Sequence, residues 1–166
     1  GYSSRPGAEE VSVDEEWLRV EMCLQAVRDA EVDIVVSIDT FRSVIVRRAY
    51  EGYGPFIVND ISAGEADRAM IATVAELGLP YVAMHMRGTP ETMQSLTEYG
   101  EGVTKGVVEY FRERVKVLMA AGIARDNIIL DPGFGFAKTV EQNYELLAGL
   151  KELRALGYPL LIGLSR

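Results

Sequence analysis

Five stretches of the chain are almost uninterrupted in apolar residues: Val32 to Ile38, Phe56 to Val58, Tyr81 to Met84, Asn127 to Leu130 and Pro159 to Leu164. Short apolar runs without polar alternation predict strands buried on both faces. The segments between them carry the helical period instead. Trp17, Val20, Leu24 and Val27 share one face behind a Ser12/Glu15 capping box, and Val107, Val108, Phe111, Val115 and Leu118 form a second stripe. Thr139 and Gln142 form another capping box, opening a helix whose apolar face is Leu146, Leu147, Leu150 and Leu153. Gly78, Gly122 and Gly157 stand where three of these helices should stop, as residues free to adopt a left-handed conformation. The turn Asp29-Ala30-Glu31-Val32 is the odd one, tight and without glycine.

Helix and strand alternate strictly, and no two strands lie close enough for a hairpin. Such an order predicts a parallel sheet covered by helices, either an open doubly wound sheet or a closed barrel. Nucleotide-binding variants lose ground because no G-x-G-x-x-G or G-x-x-x-x-G-K-[ST] follows a strand. Gly133 and Gly135 flank Phe134, but they follow Asp131-Pro132 and lack a third glycine.

Strand after strand ends in a residue that an apolar core would not choose. Asp39 ends the first, Asn59 and Asp60 the second, His85 follows the third, Asp131 the fourth and Ser165 the fifth. In a parallel sheet these C-terminal ends face one mouth, where ligands bind. Carboxylates gathered in a low-dielectric mouth call for a ligand rich in N–H donors, such as a 2-amino-4-oxo-pyrimidine edge. Asp and Asn are also good helix N-caps, and Asp60 is read that way. Three such residues at equivalent strand ends, Asp39, Asn59 and Asp131, favour a site.

His85 is the single histidine, without a Cys or second His to build a metal site, and is read as structural or as support behind the site. Phe134 and Phe136 sit in a glycine-bearing loop at the mouth, where a ring could stack on a planar heterocycle. Near the N-terminus, Ser3-Ser4-Arg5-Pro6-Gly7-Ala8 reads as a loop whose Arg and hydroxyls suit a phosphate or carboxylate.

Composition narrows the class of protein. The 166 residues are 48% hydrophobic and 25% charged, enough for one globular core. A net charge of -8 with scattered basic residues speaks against nucleic acid. Cys23 stands alone in a helical pattern and is read as a small buried hydrophobe in a reducing compartment. With no membrane-length apolar stretch and no signal-peptide pattern, the expectation is a cytoplasmic protein without a membrane partner.

The ordered set Ser4-Arg5-Pro6-Gly7-Ala8, Ser37-Ile38-Asp39-Thr40, Val58-Asn59-Asp60-Ile61-Ser62, Met84-His85-Met86-Arg87-Gly88-Thr89-Pro90, Leu130-Asp131-Pro132-Gly133-Phe134-Gly135-Phe136 and Ile162-Gly163-Leu164-Ser165-Arg166 resembles the motifs of dihydropteroate synthases. Each is ordinary alone; together, in family order across the chain, they are specific. The resemblance implies a TIM-type (β/α)8 barrel. Residues 1–166 would form a single pterin-binding barrel domain truncated at both ends, lacking the first, most of the second and the last strand. It implies condensation of 6-hydroxymethyl-7,8-dihydropterin pyrophosphate with 4-aminobenzoate, giving 7,8-dihydropteroate and pyrophosphate with Mg²⁺, in a sulfonamide-sensitive step of folate biosynthesis. Asp39, Asn59 and Asp131 resemble the pterin-holding residues, Asp39 and Asp131 also serving catalysis. Ile61, Met84, Phe136 and Gly163 resemble the pocket wall. Ser4, Arg5 and Pro6 resemble a mobile loop serving pyrophosphate and aminobenzoate, and the family's homodimer is expected.

Departures accompany the matches. The family's metal-associated Asn on the first strand is not in this sequence, nor are the Lys after Ser-Arg and the Ser-Arg-x-His of the last strand, so no metal ligand is assigned here and the chain alone is expected to be inactive. Two other readings stay open: a pterin-binding methyltransferase passing a folate methyl group to a corrinoid, and a non-catalytic pterin-binding homologue.

Overall fold

A computed structural model describes residues 11–89 and 92–164. Its elements alternate as the sequence predicts: α1 (Val13–Asp29), β1 (Ser37–Asp39), α2 (Ser43–Tyr53), β2 (Ile57–Asp60), α3 (Met70–Leu77), β3 (Tyr81–Met84), α4 (Val103–Ala120), β4 (Ile128–Asp131), α5 (Val140–Ala148) and α6 (Leu150–Arg154). The four strands form one sheet in the order β1-β2-β3-β4, all parallel. Sequential order with every connection through a helix is how a barrel wall is laid down, strand beside strand.

Register divides the sheet into two faces. Val58 pairs with Tyr81 and Tyr81 with Ile128, while Asp60 pairs with Ala83 and Ala83 with Leu130. Because successive side chains point to opposite sides, these residues share one face with Ile38. All but Asp60 belong to the core beneath the helices with Ile45, Val46 and Ala49 of α2, Met70 and Val74 of α3, and Val107, Phe111 and Leu118 of α4. Each large side chain fully buried there contributes about 1.5–3 kcal/mol. The opposite face carries Asp39, Asn59, Val82, Met84 and Asp131.

The capping box at α5 is present in full, Gln142 N donating to Thr139 Oγ1 and Thr139 N to Gln142 Oε1. At α1 Ser12 accepts from Glu15 N, but the Glu15 carboxylate pairs with Arg19 one turn on. Gly78 caps α3 at φ 64°. In the glycine-free turn after α1, Glu31 itself adopts a left-handed φ of 52°.

Several expectations need correction. The first strand does not begin at Val32: Val32, Ile34 and Val35 are 51%, 57% and 80% exposed. Among the described residues β1 has a neighbour on one side only, and pairing starts where Ile57 N donates to Val36 O at 2.9 Å. The fifth run is reduced to one bridge, Leu130 to Leu160, for the same reason. Leu161, Ile162 and Leu164 beyond it are exposed. Cys23 is exposed, because the buried stripe of α1 runs Glu16, Val20, Leu24 and leaves position 23 beside it. Leu147 is exposed, and the last helical stretch breaks at Gly149, where a Cβ would lie 2.4 Å from the Thr104 side chain.

Candidate functional site

Asp39 and Asn59 are direct register partners at the ends of β1 and β2, and Met84 and Asp131 are partners at the ends of β3 and β4. All four lie on the face turned away from the helices. A cavity of about 150 Å³ opens there, lined by Met84, Asp131, Gly133, Phe134, Phe136 and Gly163. Ile61, two residues past Asn59, is buried yet stands outside the core beneath the helices. The geometry thus gathers Met84, Asp131, Phe136 and Gly163 around one cavity, with Asp39 and Asn59 on the same sheet face. Ser4, Arg5 and Pro6 lie outside the described residues.

The electrostatics of this face suit a donor-rich ligand. Asn59 Oδ1 is buried and accepts no hydrogen bond. Burying such an acceptor without a partner costs about 1–3 kcal/mol, a cost that a ligand N–H would remove. Asp131 is buried, and desolvation raises its carboxyl pKa, opposed by the Gly133 N–H bond at 2.8 Å and the positive charge of Lys138. Asp39 is open to the mouth, but the protein flanking it still raises its carboxyl by desolvation, aided by the charges of Asp60, Glu16 and Asp131.

Asp60 is a fixture of the fold, although not the helix cap expected of it. Its carboxylate accepts from Ser62 N, Ser62 Oγ, Gly64 N and the Tyr81 hydroxyl, holding the turn after β2, whereas α3 starts only at Met70. His85 is buried and meets the Tyr110 ring edge-to-face, with centroids 4.9 Å apart. Its Nδ1 lies 3.0 Å from Lys138 Nζ. Lys138 is itself buried, at 4% exposure, and sequence reasoning passed over it. A lone Lys before the Thr139 cap reads as solvated; only the inward fold of its loop reveals otherwise. Glu16 escaped notice too: it is fully buried in α1, accepting from Thr40 Oγ1 at 2.7 Å and pairing with Arg42 at 2.8 Å, and so ties α1 to the end of β1.

No group of three or more His, Cys, Asp or Glu among the described residues could hold a metal ion.

A helix-covered parallel sheet with acids and an amide at its strand ends defines the class: a barrel-type α/β protein with polar groups gathered beside a cavity at the strand ends. The family described as pterin binding enzymes matches residues 1–166, and the chain belongs to it. It is 46% identical over its whole length to a dihydropteroate synthase from Synechocystis sp., of which it covers 56%. It is 42% identical to the dihydropteroate synthase of Escherichia coli, covering 57% of that protein. Among solved structures, a Yersinia pestis dihydropteroate synthase with a sulfonamide drug complex superposes with TM-score 0.92 at 36% identity, over 99% of this chain and 58% of that one. A Xanthomonas albilineans dihydropteroate synthase with 4-aminobenzoic acid gives 0.87 at 36% identity, over 99% and 57%. The sheet is therefore a segment of a TIM-type barrel, and the chain spans a little over half the length of these relatives.

Proposed function

We propose that the protein is a dihydropteroate synthase and that this chain supplies the pterin-holding wall of its barrel. The carrying observation is the unpartnered Asn59 Oδ1 on the same sheet face as Asp39 and Asp131. A pterin's ring N–H and exocyclic NH2 would donate in parallel to one carboxylate, and the Asn59 amide would accept and donate along the next edge. Phe136 and Met84 would close over the ring plane.

The reaction follows from that placement. The methylene C–O bond breaks, its electron pair leaves with pyrophosphate, and positive charge spreads into the electron-rich dihydropterin. Fixed carboxylates at Asp39 and Asp131 stabilise that charge without reorganising. The neutral amine of 4-aminobenzoate then forms the N–C bond and loses a proton to solvent, so no Ser, Cys or His nucleophile is needed. Ser4, Arg5 and Pro6 belong to this reading as the pyrophosphate and aminobenzoate loop. Mg²⁺, a homodimer formed through helices on the far side of the barrel, and a cytoplasmic location belong to it as family traits.

The test is turnover by the protein expressed with whatever flanking residues its gene encodes. Dihydropteroate should form from the two substrates, and Asp39→Ala or Asp131→Ala should reduce its rate by about a hundredfold or more. Transfer of a methyl group from methyltetrahydrofolate to a corrinoid, with no dihydropteroate formed, would replace this reading with the methyltransferase one.

A further inference from the structure

We propose that Lys138 is a positioning residue that fixes the loop carrying Asp131 and Phe136 by wrapping it around a buried ammonium. This inference rests on the pterin-site reading and names the part that sets its shape. Lys138 Nζ donates to Gly133 O at 2.8 Å and to Phe136 O at 2.8 Å, and faces His85 Nδ1 at 3.0 Å. A lysine ammonium has three donors and no acceptor. All three are engaged here, provided that His85 is neutral with its proton on Nε2. Burial, reinforced by the charges of Lys138 and Arg87, lowers His85 to about 3, so the ring is neutral at neutral pH and its Nδ1, facing an ammonium that can only donate, is the acceptor. Burial also lowers Lys138 to about 7, while the Asp131 carboxylate favours keeping the proton. A neutral amine could serve only two of the three acceptors.

The loop is shaped for this guest. Gly133 has φ 67°, and a Cβ there would meet His85 O at 2.1 Å, so the loop backbone lies directly on the end of β3. Asp131 Oδ1 accepts from Gly133 N, and Phe136 N donates to Gly133 O at 3.1 Å. Ala137 is left-handed at φ 52°, a conformation that costs a non-glycine residue energy and persists only when its surroundings enforce it. The Tyr99 hydroxyl holds Ala137 O at 3.1 Å, and Lys138 closes the ring from within. Without the ammonium, Phe136 O and the imidazole nitrogen lose the Lys138 donor and Gly133 O keeps only the Phe136 N–H, and relaxation of the loop would carry Phe136 and the Asp131 carboxylate away from the cavity they line.

The test compares wild type with Lys138→Met, which keeps the stem and removes the charge, and with Lys138→Gln, whose amide offers two N–H donors for three acceptors. Each is titrated with 6-hydroxymethyl-7,8-dihydropterin pyrophosphate, and the KM for that substrate is measured beside kcat. Lys138→Met should raise the pterin Kd and KM about tenfold or more, with Lys138→Gln falling between it and wild type. A role in stability alone would lower the active fraction and leave Kd and KM where they were, and that result overturns the proposal. Should Lys138→Met not fold, Lys138→Gln decides on the same terms. If wild type binds the pterin but makes no dihydropteroate, the synthase reading fails while the titrations still judge Lys138.

Discussion

Asn59 shows how a single atom can mark a site. An acceptor left without a donor weakens the empty protein and strengthens the complex. We therefore expect Asn59→Leu to leave the melting temperature unchanged or raised and to weaken pterin binding about tenfold or more, as read by thermal unfolding beside calorimetric titration. Asp39 follows a related logic with a pH sign. Its native pKa stands above 3.8, so the folded state binds this proton more tightly than the unfolded chain does. At neutral pH the desolvated charge then disfavours the empty fold, and the penalty is relieved as pH falls through the raised value. Asp39→Asn should melt higher than wild type at neutral pH, with the gap closing in acid; a constant gap or a lower melting temperature would contradict the assignment. The strand-end placement of Asp39, Asn59 and Asp131 was legible in the sequence because each interrupts an apolar run at its C-terminal end. Lys138 and Glu16 were not, because a charged residue in a loop or on a helix looks solvated until the fold shows what surrounds it.

Elements were legible to the degree that they carry their own signals. The stripe Val107, Val108, Phe111, Val115 and Leu118 predicted α4, and all five are buried. Both bonds of the Thr139/Gln142 box are made. Strand limits were harder, because an apolar run does not tell whether a neighbour exists to pair with it: Val32, Ile34 and Val35 have strand composition but no ladder. The loop between β4 and α5 is the element on which the site turns, and Gly133 is its least replaceable position. We expect Gly133→Ala to lower the melting temperature and abolish pterin binding, since its Cβ would lie 2.1 Å from His85 O at a φ of 67°. Unchanged binding on titration would show that the loop has another resting shape.

At the scale of the molecule, the described sheet is open beside β1 and, beyond β4, is extended only by the single bridge to Leu160. Val32, Ile34 and Val35 lie exposed beside β1, and Leu161, Ile162 and Leu164 lie exposed beyond β4. Unpaired apolar edges invite further strands. A polypeptide of residues 1–166 alone should therefore self-associate with rising concentration in light scattering, and a form extended by flanking barrel segments should not. The parallel fold and the mouth were both readable from alternation and strand-end polarity. Barrel closure was not, because closure depends on strands outside the described sheet. The central claim, a pterin pocket centred on Asp131, is tested most directly by calorimetric titration of the protein, flanking residues included, with 6-hydroxymethyl-7,8-dihydropterin pyrophosphate. Saturable one-to-one binding that is lost in Asp131→Ala is the expected result; no binding by wild type, or equal binding by the variant, would contradict it.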